Sequence, residues 1–335
     1  MKLLNYDHTK IYLDTYFTNL SSLLECFSEQ NTYYLIDENV LRLHHSKFAS
    51  IKNLIIIPSG ENSKSLNFIS QIVSNLLSLG ANRKSYLIGI GGGVTTDITG
   101  FVASVFMRGI SFGFIPTTLL AMCDASIGGK NGVNLNSVKN IVGVFNNPDF
   151  ILIDYSFLKT LSNEELVNGF AEIIKHACIA SEDLFDKLEN ISQKNLLKNI
   201  DDFIYSSILI KLDIVLIDKK EENQRKLLNF GHTFGHAIES IYGFSHGKSI
   251  SLGMVFANQI ATKMGYLDTN QNTRILNVLN SFNLPSDISS INKKEVLELI
   301  YNDKKAIKSN IDFIILNNIG EAFVKSLKVI ELIDG

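Results

Sequence analysis

Cysteine is scarce in this chain. Of 335 residues only Cys26, Cys123 and Cys178 are cysteines, and no two are spaced as CxxC. That disfavours a disulfide framework and a thiolate zinc cluster, and it suits a reducing compartment. Neither sign of charge is in excess: 31 lysines and arginines stand against 34 aspartates and glutamates, for a net charge of -3. A chain-wide basic field for nucleic acid is thereby excluded, though a local basic pocket is not. Long apolar runs are missing too. The longest uncharged candidate, 109–123, falls short of the roughly 20 apolar residues a membrane span needs, and Pro116 interrupts it. Met1–Lys10 carries charge and has no apolar h-region, so no secretory signal is expected. With 45% hydrophobic and 19% charged residues, the expectation is a cytoplasmic globular protein, with no membrane or nucleic-acid partner.

No proline- or glycine-rich linker, internal repeat or low-complexity tract divides the chain, but its texture changes part-way. Five short apolar runs read as strands: 33–37, 54–57, 86–90, 111–115 and 150–154. Helical patterns such as Phe68, Ile69, Ile72, Val73, Leu76 and Leu77 lie between them. Buried strands alternating with helices imply a parallel sheet covered on both faces. Beyond Asp154 long 3.6-residue periods take over, through Leu166–Ala177, Phe203–Val215 and Ile250–Ile260. Periodicity leaves the late run 313–316 open between strand and helix. The expected organisation is a parallel α/β part followed by a helical part, with the boundary near residues 155–160 and a ligand cleft between the two.

Two glycine-rich segments stand out. Gly89-Ile90-Gly91-Gly92-Gly93-Val94 follows a strand and opens a helix, with Asp97 near its start. Such a turn lets backbone N–H groups meet a phosphate, although the spacing matches G-x-G-x-x-G poorly and an ordinary tight turn would also explain it. The second, Asp124–Lys130, adds a lysine that could meet an anion and also reads as following a strand. Together they point to a dinucleotide and a phosphorylated substrate. Three of only seven histidines fall between 232 and 246. His232 and His236, at i and i+4, share a helix face and are the metal-ligand pair that spacing alone nominates, while His246 follows further on. Thr233 after the first histidine excludes an H-E-x-x-H protease. Glu172 sits in an apolar stripe and needs a metal or a partner; Lys175, three residues on, would serve equally well as that partner.

Several segments taken together resemble the 3-dehydroquinate synthase family, within the wider sugar-phosphate cyclases. They are Gly91–Val94 with Asp97, Gly100–Ala103, Met107–Gly109, Pro116–Ala121, Asp124–Lys130, Lys139-Asn140 and Leu227–Thr233, in one order along nearly the whole chain. The resemblance implies an α/β Rossmann-like domain over 1–158 and an all-α domain over 159–335, with NAD, one divalent metal (zinc or cobalt), a small phosphorylated sugar acid as substrate, and a homodimer. Carried over by position, it implies Glu172, His232 and His246 as metal ligands and turns His236 toward the substrate phosphate. Lys130, Asn140, Lys304 or Lys305, and Arg108 from a second subunit would complete the phosphate contacts. Arg225, Lys211, Asn229, Lys175 and Asp124 would hold the substrate's carboxylate and hydroxyls. NAD would meet Asp37, Asn39, Glu61, Lys64, Gly92, Gly93, Asp97, Thr117, Thr118, Lys139, Thr160 and Leu161.

The implied reaction converts 3-deoxy-D-arabino-heptulosonate 7-phosphate to 3-dehydroquinate and phosphate. It runs through transient oxidation at C5, phosphate elimination, reduction and an internal aldol closure, with no net redox change. The sequence departs from the family pattern at Thr95-Thr96 for Ile-Gly, at Asn131 for threonine, and at Lys219 and Asn223 before Arg225. Lys248 also stands where glutamate normally follows the His-Gly pair, a change that would place a cation near a metal ligand. Three rival readings remain: a cyclase acting on an amino analogue or a sedoheptulose phosphate, a metal-dependent polyol dehydrogenase, and a non-catalytic homologue serving as a binding module, which loss of the candidate ligands would favour and their retention disfavours. Arg225 favours a carboxylate-bearing substrate, because its planar fork matches a carboxylate.

Overall fold

A computed structural model describes residues 2–14, 31–49, 51–136, 138–304, 310–328 and 332. The chain separates into two units, Met1–Ser162 and Asn163–Gly335.

In the first unit the strands are β1 (Lys2–Tyr6), β2 (Thr9–Asp14), β3 (Thr32–Asp37), β4 (Leu54–Ile57), β5 (Tyr86–Gly91), β6 (Ser111–Pro116), β7 (Lys130–Leu135), β8 (Val138–Phe145) and β9 (Phe150–Asp154). Seven of them make one sheet in the order β1-β2-β9-β6-β5-β3-β4, and β7 and β8 make a separate two-stranded sheet. Every pairing in the large sheet is parallel except β1 with β2. The five expected runs are its parallel core. β5 is buried at every position and β3 at all but its last, as strands covered on both faces must be.

Four strands lack that signature. β1 is mostly exposed and turns into β2 through Asp7, whose φ of 55° is left-handed. β7 and β8 form an antiparallel hairpin whose second strand is exposed along most of its length. The second glycine segment therefore differs from expectation. It begins inside a π-helical turn, Ala121–Ala125, and ends on Lys130, the first residue of β7.

From β3 the chain goes outward to β4 and then returns to the other side, to β5. The order β4-β3-β5-β6-β9 is thus a doubly wound sheet with its switch point between β3 and β5. Ligands of such sheets bind beyond the strand C-termini at that point; Asp37 ends β3 there, and Gly91 ends β5.

In the second unit the three expected periodic stripes are the helices Asn163–Ala180, Ile200–Ile217 and His246–Lys263. Glu182–Asn190, His232–Tyr242, Thr269–Ser281 and Lys293–Lys304 are further helices. The undecided run 313–316 lies in β10 (Asn310–Asn318), which pairs antiparallel with β11 (Glu321–Lys328). This helical unit therefore also carries one hairpin. Its Phe313 meets Phe256 of the helix His246–Lys263 edge-on, with ring centroids 6.1 Å apart. Among the described residues no helix is long and apolar enough to cross a membrane.

Candidate active site

The first-unit candidates cluster at the strand C-termini. Asp37 ends β3 and caps the helix Glu38–Leu43: its carboxylate accepts the N–H of Asn39 at 2.9 Å and of Val40 at 3.2 Å. Ser59, just past β4, donates its hydroxyl to both oxygens of the same carboxylate. Glu61 and Lys64 lie in and after a short 3-10 turn, Glu61–Ser63. Gly92 caps the helix Gly93–Val105, which carries Asp97. Thr117 follows β6, its N–H donating to Gly91 O at 2.9 Å, and a Cβ on Gly92 would come within 3.0 Å of Thr118. Lys64 is only 5% exposed. Its ammonium pairs with Asp97 and donates to Asn140 Oδ1 at 2.5 Å. Asn140 and Lys139 lie in β8, Lys130 opens β7, and Asp124 lies in the π-helical turn. Thr160 Oγ1 is 2.7 Å from His44 Nε2, with Leu161 next in chain. Arg108 ends a turn in which it and Met107 both have left-handed φ, 71° and 51°.

In the second unit Glu172, from the helix Asn163–Ala180, meets two histidines from two other helices. Its Oε1 lies 3.3 Å from His246 Nε2 and 3.6 Å from His232 Nε2. Its Oε2 takes the ammonium of Lys175. Glu172 and Lys175 are 0% and 1% exposed, so the carboxylate has both the lysine partner and the histidine neighbours that the sequence left as alternatives. Local packing explains why three helices come this close. A Cβ on Gly253 would collide with the backbone of Gly231, and one on Gly247 would sit 2.6 Å from Asn168 Cα. Glycine at these two positions lets the helices carrying His232, His246 and Glu172 approach to backbone contact.

The donor set suits a divalent cation. Nitrogen and oxygen ligands at about 2.0–2.2 Å in a tetrahedron stand about 3.3–3.6 Å apart, as Glu172 Oε1 does from each histidine nitrogen, and the three ligand atoms lie within 4.8 Å of one another. His232 Nδ1 is 3.1 Å from Phe230 O, an acceptor only, which puts the proton on Nδ1 and leaves the Nε2 lone pair facing Glu172. Burial, then the charge of Lys175, hold His232 well below its ordinary pKa and so neutral, against the pull of Glu172. Burial also works to lower His246, but hydrogen bonds to Glu172 and Glu239 outweigh it and raise the imidazole to about 9. Glu239 was not singled out in the sequence. Its Oε2 lies 3.6 Å from His246 Nδ1, on the ring's far side from Glu172. Its signal was present, since it lies seven residues after His232 on the same helix. His236 is exposed, its ring centroid 5.1 Å from that of His232 and 6.1 Å from that of His246.

Other buried cations surround the helical unit's polar groups. Arg225 is 2% exposed, and its Nη1 donates to Lys219 O at 2.6 Å. Lys211 is buried as well, and Asn229 donates its amide to Glu221. The approach to Arg225 wraps around Asp218, which accepts N–H groups from Glu222, Asn223 and Arg225. Desolvation opposes it, but these backbone donors, with Glu221, hold the Asp218 carboxyl below its usual range. Lys305 and the side chain of Lys304 lie outside the described residues.

Residues 54–168 match the family model described as 3-dehydroquinate synthase N-terminal, and residues 169–306 match the one described as 3-dehydroquinate synthase C-terminal. The 3-dehydroquinate synthase of Thermoanaerobacter pseudethanolicus is 40% identical over 318 residues, covering 90% of this chain and 88% of its own length. That of Campylobacter hominis is 43% identical over 273 residues, covering 81% and 79%. The chain belongs to the 3-dehydroquinate synthase family. Its fold is shared with a solved relative, the 2-epi-5-epi-valiolone synthase of Streptomyces hygroscopicus subsp. jinggangensis 5008, which holds NAD+ and Zn2+. The two superpose with a TM-score of 0.87 at 25% identity, over 100% of this chain and 96% of that one. A 2-deoxy-scyllo-inosose synthase complexed with carbaglucose-6-phosphate, NAD+ and Co2+ shares the fold at a TM-score of 0.84 and 23% identity, over 100% of both chains.

The departures from the family pattern have local explanations. Thr95 is buried against Gly91, and Thr96 returns its hydroxyl to Gly93 O at 3.0 Å. Asn131 packs on Gly100 and donates to Gly129 O and Asn146 O. Lys248 turns to Glu164 at 3.6 Å with its side chain 46% exposed, so its ammonium is paired at the surface.

Proposed function

We propose that this protein is a 3-dehydroquinate synthase, a phosphate-eliminating carbon–oxygen lyase that converts 3-deoxy-D-arabino-heptulosonate 7-phosphate to 3-dehydroquinate and phosphate. The convergence of Glu172, His232 and His246 at tetrahedral spacing, in a chain of this family, carries the reading. In this reading residues 1–158, with Thr160 and Leu161 just beyond them, bind NAD, and the rest of 159–335 binds the metal and much of the substrate. When bound, NAD supplies a hydride acceptor and donor at C5, and the cation supplies a Lewis acid beside it.

The chain's own part is binding and orientation. Asp37, Asn39, Glu61, Lys64, Gly92, Gly93, Asp97, Thr117, Thr118, Lys139, Thr160 and Leu161 hold the dinucleotide. The Gly92 turn presents backbone N–H groups at a helix N-terminus, where a pyrophosphate is favoured. Arg225, pre-set by Lys219 O and the Asp218 loop, offers its fork to the substrate carboxylate. Lys175, Lys211, Asn229 and Asp124 meet the hydroxyls. Lys130, Asn140 and His236 grip the phosphate, with Arg108 contributed by a second copy in a cytoplasmic homodimer.

Purified protein with NAD and zinc or cobalt should release phosphate from the heptulosonate phosphate while NADH does not accumulate. No phosphate release from metal-replete protein would sink this reading. The close fold match to a valiolone synthase favours a second reading, a cyclase taking another sugar phosphate, and release from sedoheptulose 7-phosphate alone would select it.

A further inference from the structure

One residue outside every assigned set touches three of the assigned ones. Asn134 lies in β7, where the hairpin register breaks: Val133 pairs with Val142 and Leu135 with Val138, so Asn134 alone stands opposite residues 139–141. The extra residues of this bulge lie among 139–141 on β8, and the ladder is interrupted around Asn134. Asn134 turns instead to the turn after β4, bridging to Ser65 and donating its backbone N–H to Lys64 O at 2.8 Å. Its side-chain amide is divided. Nδ2 donates to Glu61 Oε1 at 2.8 Å, while Oδ1 accepts the N–H of Asn140 at 2.9 Å.

The second contact matters because Asn140 holds a left-handed φ of 55° within a strand, a conformation tolerated only where neighbours fix it. Lys64 fixes the other end of Asn140. An ammonium can only donate, so the Asn140 amide must offer it Oδ1, and its NH2 group is thereby turned outward as a donor for an anion. The same ammonium pairs with Asp97. Two segments far apart in sequence, Glu61–Lys64 and Lys139-Asn140, are thus held by one amide.

We propose that Asn134 is a positioning residue that couples the two ligands. It locks the dinucleotide-side Glu61 and Lys64 to the phosphate-side Asn140, so that each ligand raises the affinity for the other. The proposal rests on the functional reading above. Coupling of this kind is reciprocal, typically about 5–150-fold.

The test measures the dissociation constant of NAD on the full chain with and without saturating inorganic phosphate. The unaltered protein should show a coupling factor of at least about fivefold. Asn134→Ala should bring it to about one and weaken each ligand singly by about tenfold or less, the scale of a lost hydrogen bond. Asn134→Asp keeps an acceptor for Asn140 but sets a carboxylate against Glu61 and near the phosphate contact, so it should weaken NAD and phosphate alike and bring the coupling factor to about one. This variant carries the test if the alanine variant does not fold. Failure of the unaltered protein to bind NAD at all would strike the functional reading itself. NAD binding with no coupling, or with coupling intact in whichever variants fold, would overturn only the role of Asn134.

Discussion

His246 faces a carboxylate on each ring nitrogen, Glu172 at 3.3 Å and Glu239 at 3.6 Å. The proton they stabilise, up to about pH 9, must leave before Nε2 can bind a cation. The sign follows directly. Below that value each cation bound releases one proton, so zinc affinity should rise about tenfold per pH unit from neutrality and level off above about 9. His232, already neutral, adds no proton. Calorimetry in two buffers of different ionisation enthalpy near neutral pH should count about one proton released, and a count of zero would contradict the assignment. Glu239→Gln should weaken zinc by about 10–100-fold, as loss of a carboxylate behind a ligating histidine does, readable by competition with a chromogenic chelator. Elsewhere, burial pushes the Cys178 thiol up to about 12. The folded form therefore keeps a proton that the unfolded form loses near pH 9, and stability should fall by about 1.4 kcal/mol per pH unit between 9 and 12 from this group. Cys178→Ala should flatten that part of a urea-midpoint profile.

The histidine pair that sequence spacing nominates, His232 and His236, lies on one helix, whereas the convergent set draws one residue from each of three helices. Periodicity reveals which residues share a face of one element, and it carries nothing about how closely two elements approach. The approach is set by Gly253 and Gly247, whose missing side chains lie against backbone atoms of Gly231 and Asn168. Gly253→Ala should cost about 1–3 kcal/mol or more through overpacking. By driving apart the helices that carry His232 and His246 it should also reduce bound zinc, so chemical denaturation and metal analysis should move together. An unchanged metal content in a destabilised protein would separate packing from the site. The strands show the same division. β3 and β5 were legible as unbroken apolar runs, while β1, β7 and β8 were not: β1 and β8 are exposed along most of their length and have no buried face to impose alternation, and β7 is Lys-Asn-Gly-Val-Asn-Leu, with few apolar residues to mark it. The bulge that turns Asn134 toward Lys64 lies in one of those illegible strands.

At the scale of the whole chain, the described candidates divide by chemistry as well as by sequence. The residues assigned to NAD all precede Ser162, at the end of the first unit, and Glu172, Glu239, His232 and His246 all follow it. The change of periodicity near residue 155 lies a few residues before the division between the two units, after Ser162. The switch point between β3 and β5 could not be read, because strand order depends on pairings between distant segments. Ligands that bind only folded protein stabilise it by mass action, and amides near a bound ligand open less often. Zinc added to the intact chain should therefore slow hydrogen exchange in 169–180, 230–242 and 246–257, and NAD should slow it in 35–40, 61–66, 89–98 and 134–141. The two footprints, read by mass spectrometry of peptic fragments, should be distinct when each ligand is added alone. Protection by NAD confined to residues after 163 would overturn the assignment of the glycine turn to the dinucleotide, and with it the division of labour between the two halves of the chain.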